Sequence, residues 1–155
     1  MSSVVNSSLI YIEQDGKYLM LHRVKKVNDL NKDKWLGVGG KFEFGESPEE
    51  CARREAFEET GLTLKKLHYR GIVTFVYGDI TEYMHLFTST SFEGTIKECD
   101  EGTLEWVDKS EVYNLPIWEG DKIFFMLMED DKTPFFSLKL VYEGDNLIHS
   151  ETHLY

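Results

Sequence analysis

Glu55, Glu58 and Glu59 stand at i, i+3 and i+4, with Arg54 beside them and Glu46 a short way upstream. On a helix this spacing puts three carboxylates on one face, where like charges repel and something positive should sit among them. Donors that are all oxygen select hard divalent cations, which points to Mg²⁺, with Mn²⁺ as a substitute. Such ions neutralise a pyrophosphate and lower the pKa of a bound water. A carboxylate left over can then accept that water's proton. A solvated acidic face is the ordinary reading of a glutamate run, but it would not also require Gly39-Gly40 at its approach and Glu46 where it stands.

The elements that must position these groups are readable locally. Ser47, Pro48 and Glu50 form a capping box with proline at the first helical position. Glu49 and Glu50 put negative charge in the first turn, where the helix dipole favours it. Cys51, Ala52 and Ala56, extended by Phe57, give one buried stripe, and Gly61 ends the helix in a left-handed cap. Leu9 to Glu13 and Tyr18 to Val24 read as strands joined by an Asp15-Gly16 turn. Lys25 to Lys34 reads as a polar loop at the rim of the site. Leu64 to Val76 and Tyr83 to Ser91 read as strands around Gly78-Asp79. Leu104 to Val107 is a short strand, with Asp108 expected to cap Lys109 to Tyr113. Glu119 to Met128 reads as a second main helix. Phe135 to Tyr142 and Leu147 to His153 read as a closing hairpin around Gly144-Asp145-Asn146. The class is α+β, a mixed sheet flanked by helices, in a single domain over residues 1–155.

The run from Gly40 to Leu62 resembles the Nudix box, Gly-x5-Glu-x7-Arg-Glu-U-x-Glu-Glu-x-Gly-U, where U is bulky and apolar. The matching residues are Gly40, Glu46, Arg54, Glu55, Ala56, Glu58, Glu59, Gly61 and Leu62. Ala56 departs from the pattern by being small, which bears on packing more than on chemistry. The resemblance implies an α/β/α sandwich with a mixed central sheet. It implies that Glu55, Glu58 and Glu59 ligate metal, that Arg54 orients the carboxylates, and that Glu46 ties the loop to the helix or reaches the metal through water. The Gly39 carbonyl is a further ligand candidate, and Glu101, shortly before Trp106, sits where the resembled family places an additional metal-binding or catalytic glutamate.

Beyond the box, Trp35 to Lys41 and Trp118-Glu119-Gly120-Asp121 resemble the MutT-type and oxidised-purine nucleoside triphosphatase branch of that family. By that resemblance Trp118 would stack on a base and Asp121 would bond its edge, while Arg23 and Lys41 could contact phosphates. Trp118 as a core tryptophan is the alternative. Two polar readers of the mammalian members are missing: Leu36 replaces an asparagine and Gly120 an aspartate. The implied reaction is hydrolysis of a nucleoside triphosphate, such as the oxidised purine 8-oxo-dGTP, to the monophosphate and pyrophosphate. ADP-ribose, a dinucleotide or a nucleotide sugar are alternative substrates, and a non-catalytic nucleotide sensor is an alternative of another class.

The whole chain fits a small enzyme. Its 155 residues suit one domain with a proper core. Seventeen basic against twenty-eight acidic residues give a net charge of −11, which repels nucleic acid polymers and anionic membranes. No membrane span or signal peptide is expected. Cys51 and Cys99 read as reduced packing residues, so a cytoplasmic protein is expected. The expected partner is a small nucleotide, and the assembly a monomer or homodimer. His22, His68, His85, His149 and His153 show no ligand spacing.

Overall fold

The computed structural model describes residues 1–25 and 28–155. In chain order the described elements are β1 (Ser3–Gln14), β2 (Lys17–His22), β3 (Trp35–Leu36), β4 (Val38–Lys41), α1 (Pro48–Thr60), β5 (Leu62–Tyr77), β6 (Ile80–Gly94) and β7 (Thr103–Asp108). A 3₁₀ turn (Val112–Asn114), α2 (Asp121–Met128), β8 (Phe136–Glu143) and β9 (Asn146–Leu154) complete them.

β1 is the spine. It runs parallel to β6 over Ser3–Ile12, antiparallel to β4 over Ser7–Ile10, and meets β2 through its last residues at the Asp15-Gly16 turn. The sheet continues from β6 through β5 and β8 to β9, and from β2 to β3 and β7. The β5–β8 pair is also parallel. Such pairs are usually covered on both faces, and the strands then read as continuous apolar runs.

Strand alternation sorts those runs into two cores. Leu9 and Tyr11 of β1, with Tyr18 and Met20 of β2, pack with Phe124, Phe125 and Trp118 on the α2 face. Ile10, Ile12, Leu19 and Leu21 pack with Ala52 and Ala56 on the α1 face. The result is the expected mixed sheet between two helices. Full burial of each Phe or Leu in these layers contributes about 1.5–3 kcal/mol relative to exposure.

Several boundaries differ from the sequence expectation. β1 starts at Ser3 because parallel pairing with β6 extends past the apolar run. β2 stops at His22, where Arg23 turns toward Asp29. β3 and β4 were expected only as a glycine-rich approach, yet they pair with β2 and β1. Phe57 is 53% exposed and does not extend the buried stripe. Asp108 caps no helix through its side chain: its carbonyl accepts the Glu111 N–H, and only the 3₁₀ turn follows. α2 starts at Asp121 rather than Glu119. Of the expected loop Lys25–Lys34, Lys26 and Val27 lie outside the described residues. Among the described residues no helix is long and apolar enough to cross a membrane.

Candidate active site

α1 forms as its caps require. The Glu50 N–H donates to Ser47 Oγ at 3.1 Å and the Ser47 N–H donates to the Glu50 carboxylate at 2.9 Å. Gly61 takes φ 82° and closes the last turn on the Phe57 carbonyl. Caps of this kind contribute about 1 kcal/mol each. Ala56 is fully buried, so the small residue in the box is packed without leaving the helix exposed.

Arg54 is the cation expected among the carboxylates. Its Nε and Nη2 donate to the two Glu46 oxygens at 2.6 and 2.9 Å, a bidentate grip. Nη1 donates to Glu55 at 2.7 Å and to Glu58 at 3.2 Å, and Nη2 also reaches the Lys41 carbonyl. Glu43 pairs with the same guanidinium at 2.8 Å. This bond to Arg54, with a backbone bond from Glu43, holds the Glu46 carboxyl down at about 2.

Glu59 points inward. It is buried, and its carboxylate accepts the Gly39 N–H at 2.9 Å. Burial pushes its pKa up to about 9, with a hydrogen bond to the Glu101 carboxyl pushing the same way. Burial also raises Glu55. Glu101 thus meets Glu59 from β7's approach, and Arg23 Nη1 stands 3.4 Å from Glu101 while its Nε donates to Asp29. The Gly39-Gly40 pair is required by close approach. A Cβ on Gly39 would meet the Ser8 carbonyl oxygen at 1.9 Å, and one on Gly40 would meet the Glu55 carboxyl group at 2.6–2.7 Å.

Among the described residues no three acidic, His or Cys side chains are already gathered to hold a metal ion. Arg54 holds Glu55 and Glu58 to its own side, and Glu58 is 56% exposed. The donor chemistry nevertheless fits a hard divalent cation. The side chains here that could ligate a cation are carboxylates, and burial raises the pKa of two of them, Glu55 and Glu59.

Beside this face lies a cleft of about 670 Å³ including its open mouth. Arg23, Gly39, Gly40, Trp118 and Asp121 all line it. Trp118 is both core and wall. It packs edge-on against Phe75 at 5.1 Å and Tyr142 at 4.9 Å, donates its Nε1–H to Asn31 at 2.7 Å, and carries the Lys34 ammonium 4.6 Å from its ring centre. Asp121 is 3% exposed, and burial pushes its pKa well above the carboxylate range, Lys34 pulling the other way. A neutral Asp121 can donate as well as accept. Lys41 is exposed and does not line the cleft. Leu36 and Gly120 explain themselves in part. Leu36 lines the wall, and a Cβ at 120 would meet Leu140 at 2.6 Å and the Tyr142 hydroxyl at 2.7 Å.

Sequence reasoning missed Asn31, Ser7 and Glu82, which also line the cleft. Ser7 Oγ donates to Glu82 at 2.6 Å. Nothing in their spacing marks them, since they come from a loop and two strands. Cys51 and Cys99 are buried and unpaired, and His22 stacks on Trp35, in keeping with packing roles.

Residues 4–128 match the NUDIX domain. The chain is 35% identical over 127 residues to an oxidized purine nucleoside triphosphate hydrolase from Danio rerio, covering 81% of this chain and 80% of that protein. It is 33% identical over 109 residues to the protein of the same name from Mus musculus, covering 69% and 70%. The crystal structure of the mutator MutT protein from Bacillus halodurans superposes with a TM-score of 0.81 at 28% identity, covering 96% of this chain and 97% of that one. With the box residues gathered on α1 beneath a cleft shared at Gly39-Gly40, the chain belongs to the Nudix hydrolase family and is a pyrophosphohydrolase of MutT-like fold.

Proposed function

We propose that this protein hydrolyses a purine nucleoside triphosphate, with oxidised purines such as 8-oxo-dGTP as the favoured case, to the monophosphate and pyrophosphate. The observation that carries this is a junction. Gly39 and Gly40 line the cleft, while Gly39 bonds Glu59 and Gly40 lies against Glu55. A base held by Trp118 and Asp121 therefore sends its phosphate chain toward the acidic face. The names of the zebrafish and mouse relatives support the same substrate class.

Glu55, Glu58, Glu59, Glu101 and the Gly39 carbonyl would hold Mg²⁺ or Mn²⁺. The bound ion would supply charge neutralisation at the pyrophosphate and a more acidic water. Arg54 keeps Glu46, Glu55 and Glu58 in place through charge-assisted bonds. A carboxylate of the hydrogen-bonded Glu59–Glu101 pair would accept the proton of the attacking water once the proton the pair shares has been given up. Arg23 faces the cleft from beside Glu101 and is placed to meet phosphate oxygens. The setting is cytoplasmic, in keeping with two unpaired thiols.

The test is a product assay over 8-oxo-dGTP, the ordinary dNTPs, ADP-ribose and diadenosine polyphosphates, with Mg²⁺ or with EDTA. Preferential release of 8-oxo-dGMP and pyrophosphate is expected. A preference for ADP-ribose or a dinucleotide would discard the triphosphate assignment and keep the metal chemistry.

A further inference from the structure

Asp121 accounts for only part of a base edge, and position 120 has no room for a second acidic reader because Leu140 and Tyr142 fill that space. Glu82 of β6 also lines the cleft and stands in register with Val5 and Phe75, on the face that carries Phe75, Ser7 and Met84. Among the described residues its one hydrogen bond comes from Ser7 Oγ. A carboxylate offers about four acceptor positions. The others face solvent or a ligand in a cleft lined by Phe75, Met84 and Trp118. A ligand that expels water from this place must bring N–H donors, or it leaves a buried carboxylate unsatisfied.

Asn31, which also lines the cleft, is polar in the complementary sense. The indole Nε1–H can only donate, so Asn31 must turn its Oδ1 to Trp118. Its NH₂ group is left with no partner among the described residues and is available to a carbonyl oxygen.

We propose that Glu82 is a specificity-determining residue that accepts the adjacent N–H donors of a guanine-type base, so that the cleft selects guanine-type over adenine-type purines. Guanine presents its ring N–H and exocyclic NH₂ side by side, matching the two oxygens of one carboxylate. Adenine presents a lone pair at the same ring nitrogen and would face the carboxylate with an acceptor. Sites built to hydrogen-bond a particular group reject analogues lacking it far better than apolar sites do. This inference rests on the reading that the cleft holds the base.

The test is a binding titration of the full chain with 8-oxo-dGMP, dGMP and dAMP, which needs no turnover. Wild type should bind the guanine-type nucleotides at least about tenfold more tightly than dAMP. Glu82→Gln, which keeps the shape and puts a donor where an acceptor was, should weaken guanine-type binding roughly ten- to a hundredfold and leave dAMP binding unchanged or tighter. Thermal melting checks that this variant folds. Ser7→Ala, which removes the bond that orients Glu82, should shift the same preference by about threefold to tenfold. The proposal is overturned if wild type shows no preference, or binds none of the three, or if both variants weaken all three equally. If the preference holds while no triphosphate is hydrolysed, the proposed reaction falls and the role of Glu82 stands. Hydrolysis without base preference has the reverse meaning.

Discussion

The acidic face takes Arg54, Glu55, Glu58 and Glu59 from one stretch of α1, whereas the cleft takes Ser7 from β1, Asn31 from a loop, Glu82 from β6 and Trp118 and Asp121 from the approach and start of α2. On α1 Glu55 and Glu58 are partly exposed and tied together by the Arg54 guanidinium, while Glu59 is buried against the Gly39 N–H. In the cleft the groups are buried, aromatic or weakly partnered. Chemistry that one helix can present is compact in sequence. Recognition assembled from distant segments depends on the whole fold to bring its parts within reach.

Changes on the acidic face should act on turnover, and changes in the cleft on selectivity. The largest effect is expected for Glu59→Gln. Turnover should fall by roughly 10²–10⁴ through loss of metal ligation and proton transfer, with the circular dichroism spectrum unchanged. Near wild-type rates would sink the assignment. EDTA should abolish the reaction and added Mg²⁺ restore it.

Next comes pH. The raised pKa of Glu59, about 9 against an ordinary 4.5, means that a proton competes with the cation. Mg²⁺ affinity measured by calorimetry should therefore rise with pH up to about 9, by up to about tenfold per unit. The sign for folding is opposite. With EDTA present, this group's contribution to stability is full below about 4.5 and is lost as pH climbs toward 9. Glu59→Gln should flatten both profiles.

Trp118→Phe keeps an aromatic ring in the core but loses the bond to Asn31. It should raise KM for a purine triphosphate by about tenfold while kcat stays within a factor of two or so. A fall in kcat with constant KM would erase the division between the two regions. The smallest effect is expected for Gly120→Asp. It should lower Tm by several degrees through overpacking against Leu140 and Tyr142, without a gain in base selectivity.

The same contrast explains what could be read in advance. Ser47, Glu50 and Gly61 announce α1 because caps are local chemistry, and the glutamate spacing needs only helical periodicity to become a face. Trp118 and Asp121 were found through resemblance, not through any pattern of their own. Glu82 and Asn31 were not found, because one lies near the start of a long strand and the other in a polar loop. β3 and β4 escaped for another reason: segments of two and four residues, the second with two glycines, carry too little period-two signal. Phe57 shows the limit of a stripe argument, since a helix of thirteen residues buries only what the sheet beneath can cover.

β1 carries Ser7 and Ser8 side by side, and strand pleating sends them apart. Ser7 bonds Glu82 in the cleft, and Ser8 Oγ bonds the Pro48 carbonyl at the first turn of α1. Leu9 and Ile10 divide between the two cores in the same way. Over this stretch Ser7 and Leu9 therefore turn toward the cleft and the α2 core, while the Ser8 hydroxyl and Ile10 turn toward α1. Substitutions on one set can therefore change the cleft wall while the contacts to α1 stay fixed. A single inserted residue in β1 would exchange the two sets at once, and insertions there should be the changes that selection tolerates least.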